Sequence, residues 1–123
     1  MVAMNLNPVE IKAFVPTKDF AQSKAFYEAV GFKVAYSDEE IAYLLCGNTS
    51  FLLQNFYVKE LAENLMMHLL VENVDDWHAH LMEQNIAESF GVRLGALETQ
   101  PWGMRDFVLF DPSGVLWRIA QNI

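Results

Sequence analysis

The side chains best suited to covalent or metal chemistry in this 123-residue chain are three histidines and one cysteine. His78 and His80 lie two apart in ENVDDWHAHLMEQNI, which reads as a helix. Two residues turn a helix by about 200°, so these histidines cannot share a metal. His68 stands alone in the apolar run Leu65 to Val71. Cys46, followed by Gly47 at a strand end, reads as a small buried hydrophobe rather than a thiolate nucleophile. Ser23, Ser50 and Ser113 fall on a helix face or in turns, with no histidine at a telling spacing to act as base. Gly91 and Gly95 are too few and too scattered to cradle a phosphate.

Binding chemistry has a better footing. Strand neighbours alternate between faces, which places Lys12, Phe14 and Pro16 together, as it does Leu52, Gln54 and Phe56. Met66, His68 and Leu70 form a third such set, and Leu116, Arg118 and Ala120 a fourth. The opposite face collects Ile11, Ala13, Val15, Met67, Leu69, Val71, Val115, Trp117 and Ile119, all apolar and suited to packing under helices. Trp117 is therefore expected in the core and Arg118 on the opposite face. An apolar hollow with a few polar groups is the usual composition of a small-molecule site. Lys12 and Arg118, if they converge, favour an anionic or carbonyl-rich ligand. The alternative pairs them with acidic neighbours such as Glu10 or Asp106, or lays their stems along the sheet. Trp102, between Pro101 and Gly103, either closes over the cleft and stacks on a flat ligand or packs at an edge, on Phe107 or on a second subunit.

These side chains need elements to hold them. Glu10 to Pro16 reads as a strand ended by proline. TKDFAQSKAFYEAVGF reads as a helix, with Asp19 as N-cap, a stripe of Phe20, Phe26, Tyr27 and Val30, and Gly31 where a helix-terminating glycine belongs. Phe32 to Ser37, Ile41 to Cys46 and Phe51 to Tyr57 follow as strands, separated by the turn-rich SDEE and GNTS. A polar connection, Lys59 to Asn64, leads to a strand over Leu65 to Val71. The next helix is capped by Asn73 or Asp75 and buries Val74, Trp77 and Leu81. Ala87 to Met104 is irregular, with a possible strand at Val92 to Leu97. Arg105 to Phe110 and Val115 to Ala120 close the chain, joined by Asp-Pro-Ser-Gly. The order is β-α-β-β-β, twice. An offset of 54 carries Lys12 to Met66, Asp19 to Asn73 and Tyr27 to Leu81, and an offset of 64 carries Gln54 to Arg118. The second copy's extra residues must fall between Ala87 and Met104.

With 53% hydrophobic and 20% charged residues the chain reads as one globular domain, residues 1–123, of two modules at about 9–58 and 64–123. Its apolar runs fall far short of the roughly 20 residues of a membrane helix. Met1 to Pro8 carries no Lys or Arg and resembles no export signal, and a lone cysteine suits a reducing compartment, so a cytoplasmic location is expected. A formal charge of −8 repels nucleic acid.

VPTKDFAQSKAFYEAVGF, VENVDDWHAHL and PWGMRDFVLFDPSGVLWRI, taken with the doubled order, resemble the vicinal oxygen chelate superfamily of glyoxalase I, extradiol dioxygenases and bleomycin resistance proteins. The resemblance implies an α+β fold in which paired βαβββ modules form a curved mixed sheet around a cleft, and it implies a homodimer. Enzymes of that superfamily hold a divalent metal at positions that match Lys12, Gln54, Met66 and Arg118 here. Lysine and arginine are cationic at neutral pH and cannot serve as ligands. Their charges repel a divalent cation, and an amide with a thioether does not make a Mg, Mn or Fe site. The resemblance therefore points to the metal-free, cofactor-free binding members, with Lys12, Phe14, Gln54, Phe56, Met66, His68, Trp102 and Arg118 as ligand-binding residues and an aromatic or amphipathic compound as ligand. The competing expectation is a metal-dependent lyase, isomerase or dioxygenase. A two-residue slip would make His68 a ligand candidate, and His68 as a base would make a metal-free isomerase or epimerase.

Overall fold

Asp19 accepts a hydrogen bond from the Gln22 N–H and starts the first helix, α1 (Phe20–Val30). Gly31, at φ 133°, ends it by turning its N–H back to the Tyr27 carbonyl. A computed structural model describes residues 3–123. Around α1 stand β1 (Phe14–Pro16), β2 (Lys33–Ser37), β3 (Ile41–Cys46) and β4 (Thr49–Gln54). A short helix, α2 (Lys59–Asn64), occupies the polar connection to β5 (Met66–Leu70). There follow α3 (Val74–Glu83), α4 (Ile86–Phe90), β6 (Glu98–Gln100), β7 (Met104–Phe110) and β8 (Leu116–Asn122). Of the two caps expected for α3, Asn73 is the one used: its side chain accepts from the Asp76 N–H.

The two sheets have the same topology, β1-β4-β3-β2 and β5-β8-β7-β6. In each, the first strand lies parallel to the last and the other pairs are antiparallel. This is the doubled βαβββ plan on an α+β scaffold, with α4 added in the second copy.

One hydrophobic cluster spans both sheets. Val15, Ala42, Leu44, Phe51 and Leu53 from the first sheet and Leu69, Phe107, Leu109, Trp117 and Ile119 from the second all point into it. Their rings meet at the seam: Trp117 lies 5.1 Å from Phe51 and 5.6 Å from Tyr27, centroid to centroid. The Trp117 Nε1–H donates to Tyr27 Oη at 2.8 Å, and the Tyr27 hydroxyl donates to Asp111 Oδ2 at 2.6 Å. Asp111 Oδ1 in turn accepts the Ser113 and Val115 N–H groups of the Asp-Pro-Ser-Gly turn. Each polar atom of this buried chain thus has a partner, as burial requires. Burial pushes the Asp111 carboxyl above the ordinary carboxylate range, against the bonds it accepts.

Besides α2, which replaces a plain connection, the structure departs from the sequence reading in four places. β1 is shorter than Glu10 to Pro16: its ladder with β4 opens at Phe14 opposite Leu52. Nothing in the fold lies under Ile11, which is exposed rather than packed under a helix. β4 starts two residues earlier than Phe51, because the β3–β4 hairpin turns on Gly47 and Asn48 alone, with Gly47 at φ 57°. Val92 to Leu97 makes one bridge, Leu94 to Leu109, and no strand. Gly95 is pressed on β7 there, so that a Cβ would stand 2.9 Å from Val108 Cγ2. The strand that completes the second module is β6, a few residues later. α4, too short for a periodicity signal, had not been expected.

Candidate functional site

The strands that bury one face present the other outward. On the first sheet this outer face carries Phe14, Leu52 and Tyr43 in one cross-strand row and Pro16, Gln54 and Ile41 in the next. On the second it carries Met66, Leu116 and Phe110, then His68, Arg118 and Val108, then Leu70, Ala120 and Asp106. Phe14, Phe56, Met66 and Trp102 each leave more than half of their surface to solvent, a large apolar exposure for eight residues chosen from sequence.

Each cation sits with its own carboxylate, Arg118 on the second sheet and Lys12 in the arm before β1. The Arg118 guanidinium donates through Nη1 to Asp106 Oδ2 at 2.8 Å. Asp106 is buried and also accepts from Gln100 Nε2 at 3.0 Å. In the arm before β1 the Lys12 ammonium donates to Glu10 Oε1 at 2.5 Å and lies 5.3 Å from the Tyr43 ring centroid. Glu10 also accepts from the Tyr43 and Ser50 hydroxyls, which ties the N-terminal arm to the sheet. Together these donors hold the Glu10 carboxyl down at about 2, with Lys12 the largest cause and Ser50 and Tyr43 next.

The eight residues are therefore brought together in groups. Gln54 and Phe56 line one hollow of about 370 Å³ with Glu40, Ile41 and Asn55. His68 lines another of about 270 Å³ at the seam, with Ser50 and Phe51 from the first sheet and Met67 and Trp117 from the second. Arg118 pairs across β5 and β8 with His68. Trp102 stands exposed at the tip of the β6–β7 connection. Lys12 and Arg118 do not converge. No hydrogen bond among the described residues joins their clusters.

Sequence reasoning missed Tyr43, Val108 and Phe110 on the same faces. Period-two alternation through β3 and β7 was the signal available for them. The cross-strand register also differs from the sequence offsets. Gln54 stands opposite Pro16 and Arg118 opposite His68, whereas an offset of 54 would carry Pro16 to Leu70. His68 thus sits two positions deeper than Met66, on the same face.

The donor set does not fit a divalent cation. Lys12 and Arg118 are cations already bound to carboxylates, and in the observed register His68 rather than Met66 stands opposite Arg118, so the set offers one amide oxygen from Gln54 and one imidazole, two donors in all. Among the described residues no three His, Cys, Asp or Glu side chains come together as a metal would require. His78 and His80 are spent on structure, bonding the carbonyls of Gly95 and Val30 at 3.0 Å each.

A doubled βαβββ chain with one shared core and open outer sheet faces defines the class of fold. The chain belongs to the Glyoxalase/Bleomycin resistance protein/Dioxygenase superfamily, whose family model matches residues 6–119. It is 27% identical over 113 residues to a bleomycin resistance protein of Klebsiella pneumoniae, covering 88% of each chain. Among solved structures it resembles a bleomycin-binding protein complexed with bleomycin, at a TM-score of 0.81 and 27% identity, covering 94% of this chain and all of that one. It also resembles an antibiotic binding protein from Streptomyces sp. CB03234, at 0.76 and 25% identity, covering 98% of this chain and all of that one. No helix among the described residues is long and apolar enough to cross a membrane.

Proposed function

We propose that this protein is a cytoplasmic homodimer that sequesters a small aromatic or amphipathic compound of the antibiotic class, without a metal or cofactor and without turning it over. The observation that carries the reading is the charge state of the outer faces. Where a catalytic relative needs electron donors around a cation, this chain has Arg118 closed on Asp106 and Lys12 closed on Glu10. Each pair is internally neutral, so neither basic group attracts an anion strongly. The surrounding charge of −8 then favours a cationic ligand with an apolar body. The binding and resistance proteins named above supply the second support.

The geometry of the faces supports a dimer. The inner faces of both sheets share one core, so in a single chain the outer faces lie on the outside. A cleft walled by Phe14, Gln54 and Phe56 on one side and Met66, His68 and Arg118 on the other needs a second copy to bring opposite sheets face to face. An isologous pair makes two such clefts. The exposed Trp102 then lies at a cleft mouth.

Light scattering should return twice the 14.1 kDa of one chain. Tryptophan fluorescence titrated with cationic, neutral and anionic aromatic compounds should saturate with the cationic set, and Trp102→Phe should remove part of the response. A monomer, or binding of anionic compounds alone, contradicts the reading.

A further inference from the structure

The chain has eight basic residues, and three of them, Lys12, Arg105 and Arg118, make the ion pairs found among the described residues. Lys18 and Arg93 make none, although the protein is strongly acidic. Both line a single polar hollow of about 290 Å³, walled by the start of α1, the segment after α4 and the Asp-Pro-Ser-Gly turn. Neither cation hangs free. Lys18 Nζ lies 5.2 Å from the Tyr57 ring centroid and the Arg93 guanidinium carbon 5.7 Å from that of Phe110, and both rings also line the hollow. Aromatic faces hold cations without neutralising them, so two positive groups are kept in place with their charge unspent.

The remaining lining adds donors. The Ser113 hydroxyl is buried, accepts the Lys18 N–H at 2.9 Å, and donates to no other group among the described residues. Gln22 adds an amide. Two carboxylates reach the same walls. Asp111 is consumed by Tyr27 and by two backbone N–H groups, and is turned toward the core. With Glu63 the walls carry two carboxylates and two cations, and only the Asp111 carboxylate is already satisfied by donors of its own. At this volume the hollow lies at the lower end of small-molecule sites, too small for a drug-sized ligand.

We infer that the hollow between Lys18, Arg93 and Ser113 is a second binding site, for a compact oxyanion carried by a phosphate or a carboxylate group. It uses none of the eight outer-face residues and stands or falls apart from the antibiotic reading.

The test is a backbone amide NMR titration of the full chain with inorganic phosphate and, separately, with acetate, at ionic strength held constant with sodium chloride. The expected result is a saturable shift confined to amides around Gly91, Ser113 and Gly114. Lys18→Gln and Arg93→Gln should each weaken it about tenfold, the scale set by losing one charge-assisted bond. Lys33→Gln, an exposed cation elsewhere, should leave it unchanged. Saturation with phosphate alone assigns a phosphate ligand, and saturation with acetate alone assigns a carboxylate. Shifts that grow without saturating, shifts equally lost in Lys33→Gln, or no response to either anion overturn the inference.

Discussion

The seam between the sheets and their outer faces use the same strands in opposite ways. At the seam, Trp117, Tyr27, Phe51 and Asp111 are buried and every polar atom named there has a partner. One residue further along β8, Arg118 lies half-buried on a face whose apolar side chains stay open to solvent. The difference teaches that adjacent positions in one strand can carry separate burdens, stability on the inner face and, on the function proposed above, recognition on the outer. Substitutions at the seam should therefore cost stability and spare the ligand, whereas outside it stability should fall only where a buried partner such as Asp106 is left unpaired.

The largest effect is expected from Trp117→Ala. It removes an indole that contacts Tyr27, Phe32 and Phe51 and donates to Tyr27, and should cost about 3–5 kcal/mol in urea unfolding. A cost below about 1 kcal/mol, within the range of surface changes, would break the comparison at its root. Tyr27→Phe is subtler. It strands the Trp117 N–H and removes a donor from Asp111, a loss of about 1–3 kcal/mol with ligand affinity unchanged.

Arg118→Ala sharpens the other side. It leaves the buried Asp106 carboxylate with only Gln100 as a side-chain donor, at about 1–2 kcal/mol after allowing for the exposed half of the pair. Arg118→Met with Asp106→Leu should recover most of that loss, and a cationic ligand should still bind the double variant. If binding vanishes in both, Arg118 contacts the ligand directly.

The smallest effect concerns the arm. The folded Glu10 carboxyl ionises at about 2 against an ordinary 4.5, so its contribution is fully present above pH 4.5 and is lost as pH falls toward about 2. Asp111 works in the opposite sense: its raised ionisation favours the fold at low pH and weakens that contribution as pH rises through it. Glu10→Gln should flatten the acid loss between pH 4.5 and 2 without altering Trp117 fluorescence.

Much of this division is legible in the sequence. Asp19 and Gly31 announce α1 through capping chemistry that acts locally, and alternation alone assigns Trp117 to the core and Arg118 to the opposite face. The partners Glu10 and Asp106 are visible too, though only as one of two alternatives, because which charges meet depends on distant strands. The two-residue register difference at Pro16 and His68 is invisible for a physical reason: a slip of two leaves every side chain on its own face. α4 is hidden by its length, and the arm before Phe14 by a pattern that continues where no core lies beneath it.

The most direct test of the central claim is a calorimetric titration of metal-stripped protein with a cationic glycopeptide antibiotic of the bleomycin type, with and without added Fe, Mn, Ni or Zn, followed by product analysis. The account predicts saturable binding of equal affinity in all conditions and unaltered ligand. Affinity or conversion that appears only with one stoichiometric metal ion would contradict it.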